Sequence, residues 1–157
     1  MSGVYTVPFI AAGVTTSIDL CELVAHAAKP LLIRGFVIGQ KTELGDAQEE
    51  NLGITIKSGQ TTSGSGGSAT AGANKDGANG AAAGFTAEQF NTTKATTGTI
   101  VDHGPWLWNV RVVPYVEKLP DGEEIFLAAG RRATLELVDA PADAIDIRGH
   151  LVVQEIG

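Results

Sequence analysis

Cysteine is nearly absent from this chain. Cys21 is the only one among 157 residues, so no intrachain disulfide can hold the fold and the core has to do so, which suits folding in a reducing cytoplasm. Basic residues are also scarce: 11 Lys and Arg stand against 18 Asp and Glu, a net charge of −7. Attraction to nucleic acid or to an anionic membrane surface needs clustered cations, so neither is expected as a partner. No apolar run approaches the roughly 18 to 20 residues of a membrane helix. The start, MSGVYTVPFIAAG, has no basic flank ahead of its apolar part, and a cleaved secretion signal is not expected.

The patterns that carry chemistry are missing as well. There is no G-x-x-x-x-G-K-[ST] phosphate loop and no G-x-S-x-G elbow. Gly64, Gly66 and Ala69 have the spacing of a dinucleotide fingerprint, but more Gly, Ala and Asn follow where a helix would have to open onto the pyrophosphate. His26, His103 and His150 lie far apart and none has a metal-ligand spacing. Asp102 and His103 are adjacent, and neighbours in a strand point to opposite faces, which argues against a relay between them. The acidic stretch Glu43, Asp46, Glu49 and Glu50 lacks the alternating oxygen ligands of a calcium loop and reads as a solvated turn, as do Asp139, Asp143 and Asp146. Asn91, Thr92 and Thr93 form a glycosylation sequon that reads as ordinary loop chemistry without a secretory context. Cys21 sits in an apolar segment and reads as a small core hydrophobe. No catalytic residue, metal site or cofactor is expected, and the chain is not expected to be an enzyme.

What is present is period-two patterning. Ile145, Ile147, Leu151 and Val153 fall on one face of a strand, and Asp146, Arg148, His150 and Gln154 on the other. Leu52, Ile54 and Ile56 alternate with Gly53, Thr55 and Lys57, and Leu135 and Leu137 oppose Thr134 and Glu136, so two more half-buried strands are expected. The stretch 31–40, LLIRGFVIGQ, is almost continuously apolar and predicts a strand covered on both sides. In WLWNVRVVPYV, 106–116, Trp106, Trp108, Val110 and Val112 share a face, and Pro114 ends regular pairing or sits on an edge. Further strands are expected over 4–11, 18–25, 99–102 and 125–128. SIDLCELVAHAAKP also fits a helical stripe with Ser17 as cap and Pro30 as stop, and the strand is preferred. Thr86 and Gln89 have capping-box spacing and predict one short helical turn.

A chain of this length fits one domain, residues 1–157, able to bury roughly 70% of its unfolded surface. Eight or so strands with short turns predict an all-β fold of two packed antiparallel sheets, with a jelly roll as the leading architecture and an immunoglobulin-like sandwich as the alternative. An extended N-terminal segment, 1–9, and one long excursion, 59–84, complete it. In that excursion every residue except Gln60, Asn74, Lys75, Asp76 and Asn79 is Gly, Ala, Ser or Thr. With no Val, Ile, Leu or aromatic side chain to bury, it is expected to be mobile alone and to lie flat along a neighbouring subunit.

The span RGFVIGQKTELGDAQEENLGITIKSGQTTSGSGGSA, Arg34 to Ala69, resembles a recurring segment of small bacteriophage virion proteins of the head-decoration, or cement, type. It has a strand ending in I-G-Q, an acidic turn, an L-x-I-x-I strand and a Ser- and Gly-rich loop. The ending IDIRGHLVVQE resembles the final strand of such proteins. The resemblance implies a jelly-roll-like domain that forms a homotrimer and sits on the outer capsid surface, made in the host cytoplasm and clamping neighbouring major capsid proteins. It brings no catalytic residues. On that basis, capsid contact is expected from Val4, Tyr5, Val7, Pro8 and Phe9 and from loop residues Ser63, Gly64, Gly66 and Gly67. Subunit packing is expected on the faces of Trp106 and Trp108. The same two tryptophans are otherwise core filler, or a stacking platform of a tail or fibre protein that binds host glycans.

Overall fold

Alternation at period two leaves each strand with one apolar face, and two sheets closing on each other bury both. The computed structural model, which describes residues 3–41, 50–112 and 114–157, contains this arrangement. In chain order the strands are β1 (Gly3–Val14), β2 (Ile18–Val24), β3 (Leu31–Gln40), β4 (Asn51–Gln60), β5 (Ser68–Thr70) and β6 (Ala73–Asn74). After a 3-10 turn (Gly77–Asn79) come β7 (Thr86–Asn91), β8 (Gly98–Asp102), β9 (Trp106–Asn109), β10 (Tyr115–Lys118), β11 (Ile125–Leu127), β12 (Arg132–Leu137) and β13 (Ile145–Glu155).

The first sheet runs β10-β3-β13-β1-β6, with β11 also on β3, and the second runs β5-β7-β2-β12-β4-β8, with β9 also on β4. All pairings are antiparallel. The fold is therefore an all-β two-sheet sandwich. The chain crosses between sheets from β1 to β2, β2 to β3, β3 to β4, β5 to β6, β6 to β7, β9 to β10, β11 to β12 and β12 to β13, and this connectivity is compatible with a jelly roll. Between the sheets, Val7, Phe9, Ile33, Ile38, Ile147 and Val153 meet Leu20, Leu23, Ile54, Ile56, Leu135 and Trp108, all fully buried. Truncating one such Leu or Ile to Ala costs about 2–5 kcal/mol.

The inward faces of β4, β12 and β13 are those their alternation predicts, and the segment 18–24 is a strand. Four expectations are corrected. Residues 86–91 form strand β7 and no helical turn, because pairing with β2 on one side and β5 on the other satisfies the backbone along its length. The expected strand over 106–116 is two strands in different sheets, with β9 on β4 and β10 on β3. The β3 strand is covered on one face only, and Leu32 and Val37 are half-buried on the other.

The long excursion is the fourth correction, since it packs against its own chain. After β4 it supplies an edge strand to each sheet: β5 beside β7, and β6 beside β1. Tyr5 Oη donates to the Ala81 carbonyl at 3.2 Å, Thr70 Oγ1 donates to the Pro8 carbonyl at 2.8 Å, and Phe85 returns the chain to the core, edge-on to Tyr5 at 5.3 Å. Backbone hydrogen bonds, and not apolar side chains, order it.

Its glycines fit that role. A Cβ on Gly67 would overlap the Gln89 carbonyl oxygen, and Gly66 has φ of +87° beside the Thr92 side chain. Gly67→Ala is therefore expected to destabilise the fold by about 2 kcal/mol, whereas Ser65→Ala, at an exposed position, is expected to stay within about 0.5 kcal/mol of the parent. Urea unfolding of the two variants checks this, and equal stabilities would show that the loop tolerates bulk.

Candidate functional site

The outward face of the second sheet is polar by sequence, yet it is out of water. Asp19, Glu22, Thr55, Gln60, Asn91, Thr134 and Glu136 are all buried. Two chain segments, 61–67 and 92–97, lie over Asp19, Glu22, Asn91 and Glu136, while Asp102 and Gly104 lie against Thr55. The two segments bind each other: Thr61 N–H donates to the Thr97 carbonyl at 2.8 Å, and Ser65 and Thr93 exchange backbone hydrogen bonds at 2.9 and 3.0 Å.

Charges beneath this strap are matched one by one. The Glu22 carboxylate accepts from Ser63 Oγ at 2.8 Å, Gly64 N–H at 3.0 Å and Asn91 Nδ2 at 3.1 Å. Arg132 Nε, from the adjacent strand β12, lies 2.5 Å from the same carboxylate. Lys57 and Lys94 both reach Glu136, at 3.0 Å each, and Gln60 Nε2 donates to Thr134 Oγ1 at 3.0 Å. Ionised groups out of water cost several kcal/mol each unless paired and hydrogen-bonded, so this set acts as a unit.

Asp19 is the strained member. Its Oδ2 accepts from Ala95 N–H at 2.8 Å while Oδ1 has no hydrogen-bond partner. Burial, reinforced by the Glu136 and Glu22 charges, pushes its carboxyl up to about 7, against the lowering pull of the Ala95 N–H and Lys94.

The residues expected to make contacts divide into four groups. Tyr5, Val7, Phe9 and Trp108 are buried in the core and offer no surface to a partner, a correction that follows from the inward alternation of β1 and from Trp108 facing Leu52 across β4. Trp106 is half-buried, its ring edge-on to Phe36 at 5.4 Å, so the two tryptophans do not form a stacking platform; the exposed residue of that strand is Leu107. Ser63 and Gly64 hold Glu22, and Gly66 and Gly67 lie against β7, all within the chain. Val4 and Pro8 do face outward.

They belong to the outer face of the first sheet, which none of the described residues covers. Ile10, Val116 and Phe126 stand 49%, 53% and 59% exposed on it. The register lines up Pro8, His150, Val37 and Val116 in one row across β1, β13, β3 and β10, and Val4, Gln154, Leu32 and Phe126 in another. Sequence reasoning missed Ile10, Val37, Val116 and Phe126. Their signal was present in β3, where apolar residues on both faces mark a strand with something to cover outside as well as inside.

Elsewhere the polar groups serve the backbone. Asp139 caps Gly53 N–H at 2.7 Å, Asp146 caps Gly13 N–H at 2.7 Å, and Glu50 caps Ala142 N–H at 2.7 Å, while Glu43, Asp46 and Glu49 lie outside the described residues. The sequon Asn91 is buried with its Nδ2 engaged. Cys21 is fully buried, and burial pushes its thiol far above the usual range. Ser58 Oγ and His103 Nε2 meet at 2.9 Å, and among the described residues no carboxylate hydrogen-bonds the other ring nitrogen; Asp102 instead accepts from Thr55 and from Gly104 N–H. Among the described residues no three His, Cys, Asp or Glu side chains are grouped to hold a metal ion.

Two variants test the sealed face. Glu22→Ala leaves Arg132 buried without its counter-charge and is expected to cost about 3–5 kcal/mol, with amide exchange rising first in residues 61–67; uniform exchange across the chain would contradict a strap held by this carboxylate. Asp19 has a folded-state pKa raised above its unfolded value, so its contribution to stability falls as pH rises from about 4 to about 7 and the penalty is complete above that. Asp19→Asn cannot ionise, and relative to the parent it is expected to gain stability between pH 5 and pH 8, on the order of a few kcal/mol. A pH-independent difference in urea midpoints would remove Asp19 as the source.

Comparison with protein-family models, with curated protein sequences and with solved structures finds no match to this chain.

Proposed function

We propose that the chain is a structural protein of a bacteriophage virion that decorates the outer capsid surface as a homotrimer and clamps neighbouring major capsid proteins. One observation carries the reading: the chain lays its own strap over the β2 and β12 part of one sheet's outer face, while among the described residues none covers the outer face of the other, where Ile10, Val116 and Phe126 are exposed. A scaffold closed on one side and apolar on the other is suited to being held through the open side. The sequence resemblance of Arg34–Ala69 and Ile145–Glu155 to head-decoration proteins supplies the kind of partner, and the sandwich fold is compatible with it.

In this reading the contact residues are the outward ones of β1, Val4, Pro8 and Ile10, with Val37 and Val116, in place of the buried Tyr5, Val7 and Phe9. A cement protein binds the assembled shell and not its separated parts, so by mass action it stabilises the shell. Three copies about one axis turn modest affinity per site into firm attachment. With the net charge of −7 the protein has little pull on packaged nucleic acid.

Sizing the purified protein and mixing it with expanded, emptied phage capsids tests this. A trimer that sediments with the capsids and raises their thermal midpoint is expected, and Val116→Asp is expected to weaken attachment tenfold or more while leaving the protein folded. A monomer indifferent to the shell would overturn the proposal.

A further inference from the structure

The open face contains a groove of about 420 Å3 whose chemistry differs from that of the chain as a whole. Val4, Val37, Val116 and Val152 form its apolar floor. Gly35, opposite Val152 on one side and Lys118 on the other, lets the β10 backbone approach closely, since a Cβ there would overlap the Glu117 carbonyl oxygen. Lys75, just beyond β6, and Lys118, at the end of β10, stand at opposite ends, both exposed and, among the described residues, without an ion pair.

Asp76, next to Lys75 in the chain, is exposed, and three other nearby carboxylates are held by neighbouring groups. Asp121 and Glu124 lie 2.5 and 3.6 Å from Arg34. Glu117, which also lines the groove, accepts from Tyr115 Oη at 2.6 Å. His150, beside the groove, has its pKa lowered by burial and by the Lys75 charge, which registers a positive field at that end. A protein of net charge −7 thus presents, at one place, a greasy floor between two uncommitted cations.

We propose that this groove is a docking site for an extended acidic segment of a partner protein, with apolar residues on the floor and carboxylates at its two ends paired to Lys75 and Lys118. Charge complementarity selects this occupant: Lys75 and Lys118 stand at the two ends of an apolar floor, so the groove favours a segment that has carboxylates at both ends and apolar residues between them. The distance fits a short segment. From β6 or β1 to β10 is three to four strand spacings of about 4.8 Å, and an extended chain at about 3.3 Å per residue covers that in four to six residues. The chemistry of the occupant follows from the groove, and only its identification with a capsid-protein segment rests on the decoration reading.

The probe is a synthetic peptide with two Glu residues at each end of a Val-Thr-Val core, titrated into the intact protein by calorimetry, with its Gln-for-Glu counterpart and inorganic phosphate as controls. The acidic peptide is expected to bind, and to bind at least tenfold more weakly in high salt, because exposed charges are screened. The double variant Lys75→Glu, Lys118→Glu is expected to lose binding tenfold or more at an unchanged thermal midpoint, and Lys118→Gln alone to lose part of it. Equal binding of the Gln peptide, indifference to the double variant, or displacement by phosphate at concentrations comparable to the peptide's would each overturn the proposal, the last by showing a small-anion site. A protein that takes the peptide but ignores capsids keeps the groove and loses the capsid, while capsid binding untouched by the double variant loses the groove alone.

Discussion

Glu22 is an acid in the middle of a sandwich sheet, cut off from water, and most of what is unusual in the chain answers to it. A lone buried carboxylate is not tolerated at a cost below several kcal/mol, so β2 must lie beside a strand that carries a cation, and β12 brings Arg132. One arginine leaves acceptor sites on the carboxylate unfilled, and Ser63 Oγ, Gly64 N–H and Asn91 Nδ2 fill them. A main-chain N–H can reach a carboxylate on a sheet face only if its backbone lies against that face. That requirement accounts for glycine at 64, 66 and 67, where a Cβ would meet Thr93, Thr92 or Gln89. The composition of the excursion is thus a packing requirement within one chain.

This is also where sequence reasoning ran out. Alternation reports which side of a strand is apolar, and it located the inward faces of β4, β12 and β13 because their Leu and Ile spacing has no other explanation. It says nothing about whether the polar side meets water. Thr134 and Glu136 look like ordinary surface residues of β12 until the strap is placed over them. Composition misled for a related reason, since the entropy of an apolar-poor segment was weighed against side-chain burial alone, and the offsetting interactions here are hydrogen bonds to groups that would otherwise be buried unpaired. At 86–91 local capping-box spacing lost to pairing on both sides by β2 and β5, a tertiary effect that no window of six residues contains.

The contact residues drawn from the resemblance fared unevenly for a geometric reason. A contiguous segment such as 4–9, once it is a strand, divides between two faces, so Tyr5, Val7 and Phe9 went to the core and Val4 and Pro8 to the outside. The outward members of neighbouring strands, His150, Val37 and Val116, come from distant parts of the sequence and become one surface only through the register of β1, β13, β3 and β10. Their shared exposure was therefore invisible before the strand order was known, whereas the apolar character of β3 on both faces is visible in the sequence and predicts a strand covered on both sides.

The two faces are not independent, because one excursion serves both. Its first part, 61–67, closes the second sheet over Glu22; its next part crosses the edge of the sandwich through β5 and β6, and Lys75 N–H then donates to the Val4 carbonyl at 2.9 Å. That hydrogen bond sets Lys75 at the end of the open face, above His150. The position of a cation on the exposed sheet is in this way fixed by a strap whose other end is held by a buried carboxylate on the opposite sheet. A partner that pulls on Lys75 is pulling on a segment anchored through Gly64 to Glu22 and returned to the core by Phe85. Anchoring at both ends lowers the entropy that Lys75 and its backbone would lose on being bound, and such preorganisation raises affinity without adding a contact. The glycine-rich composition that reads as looseness in isolation is what lets the chain be held closely enough to present a rigid edge.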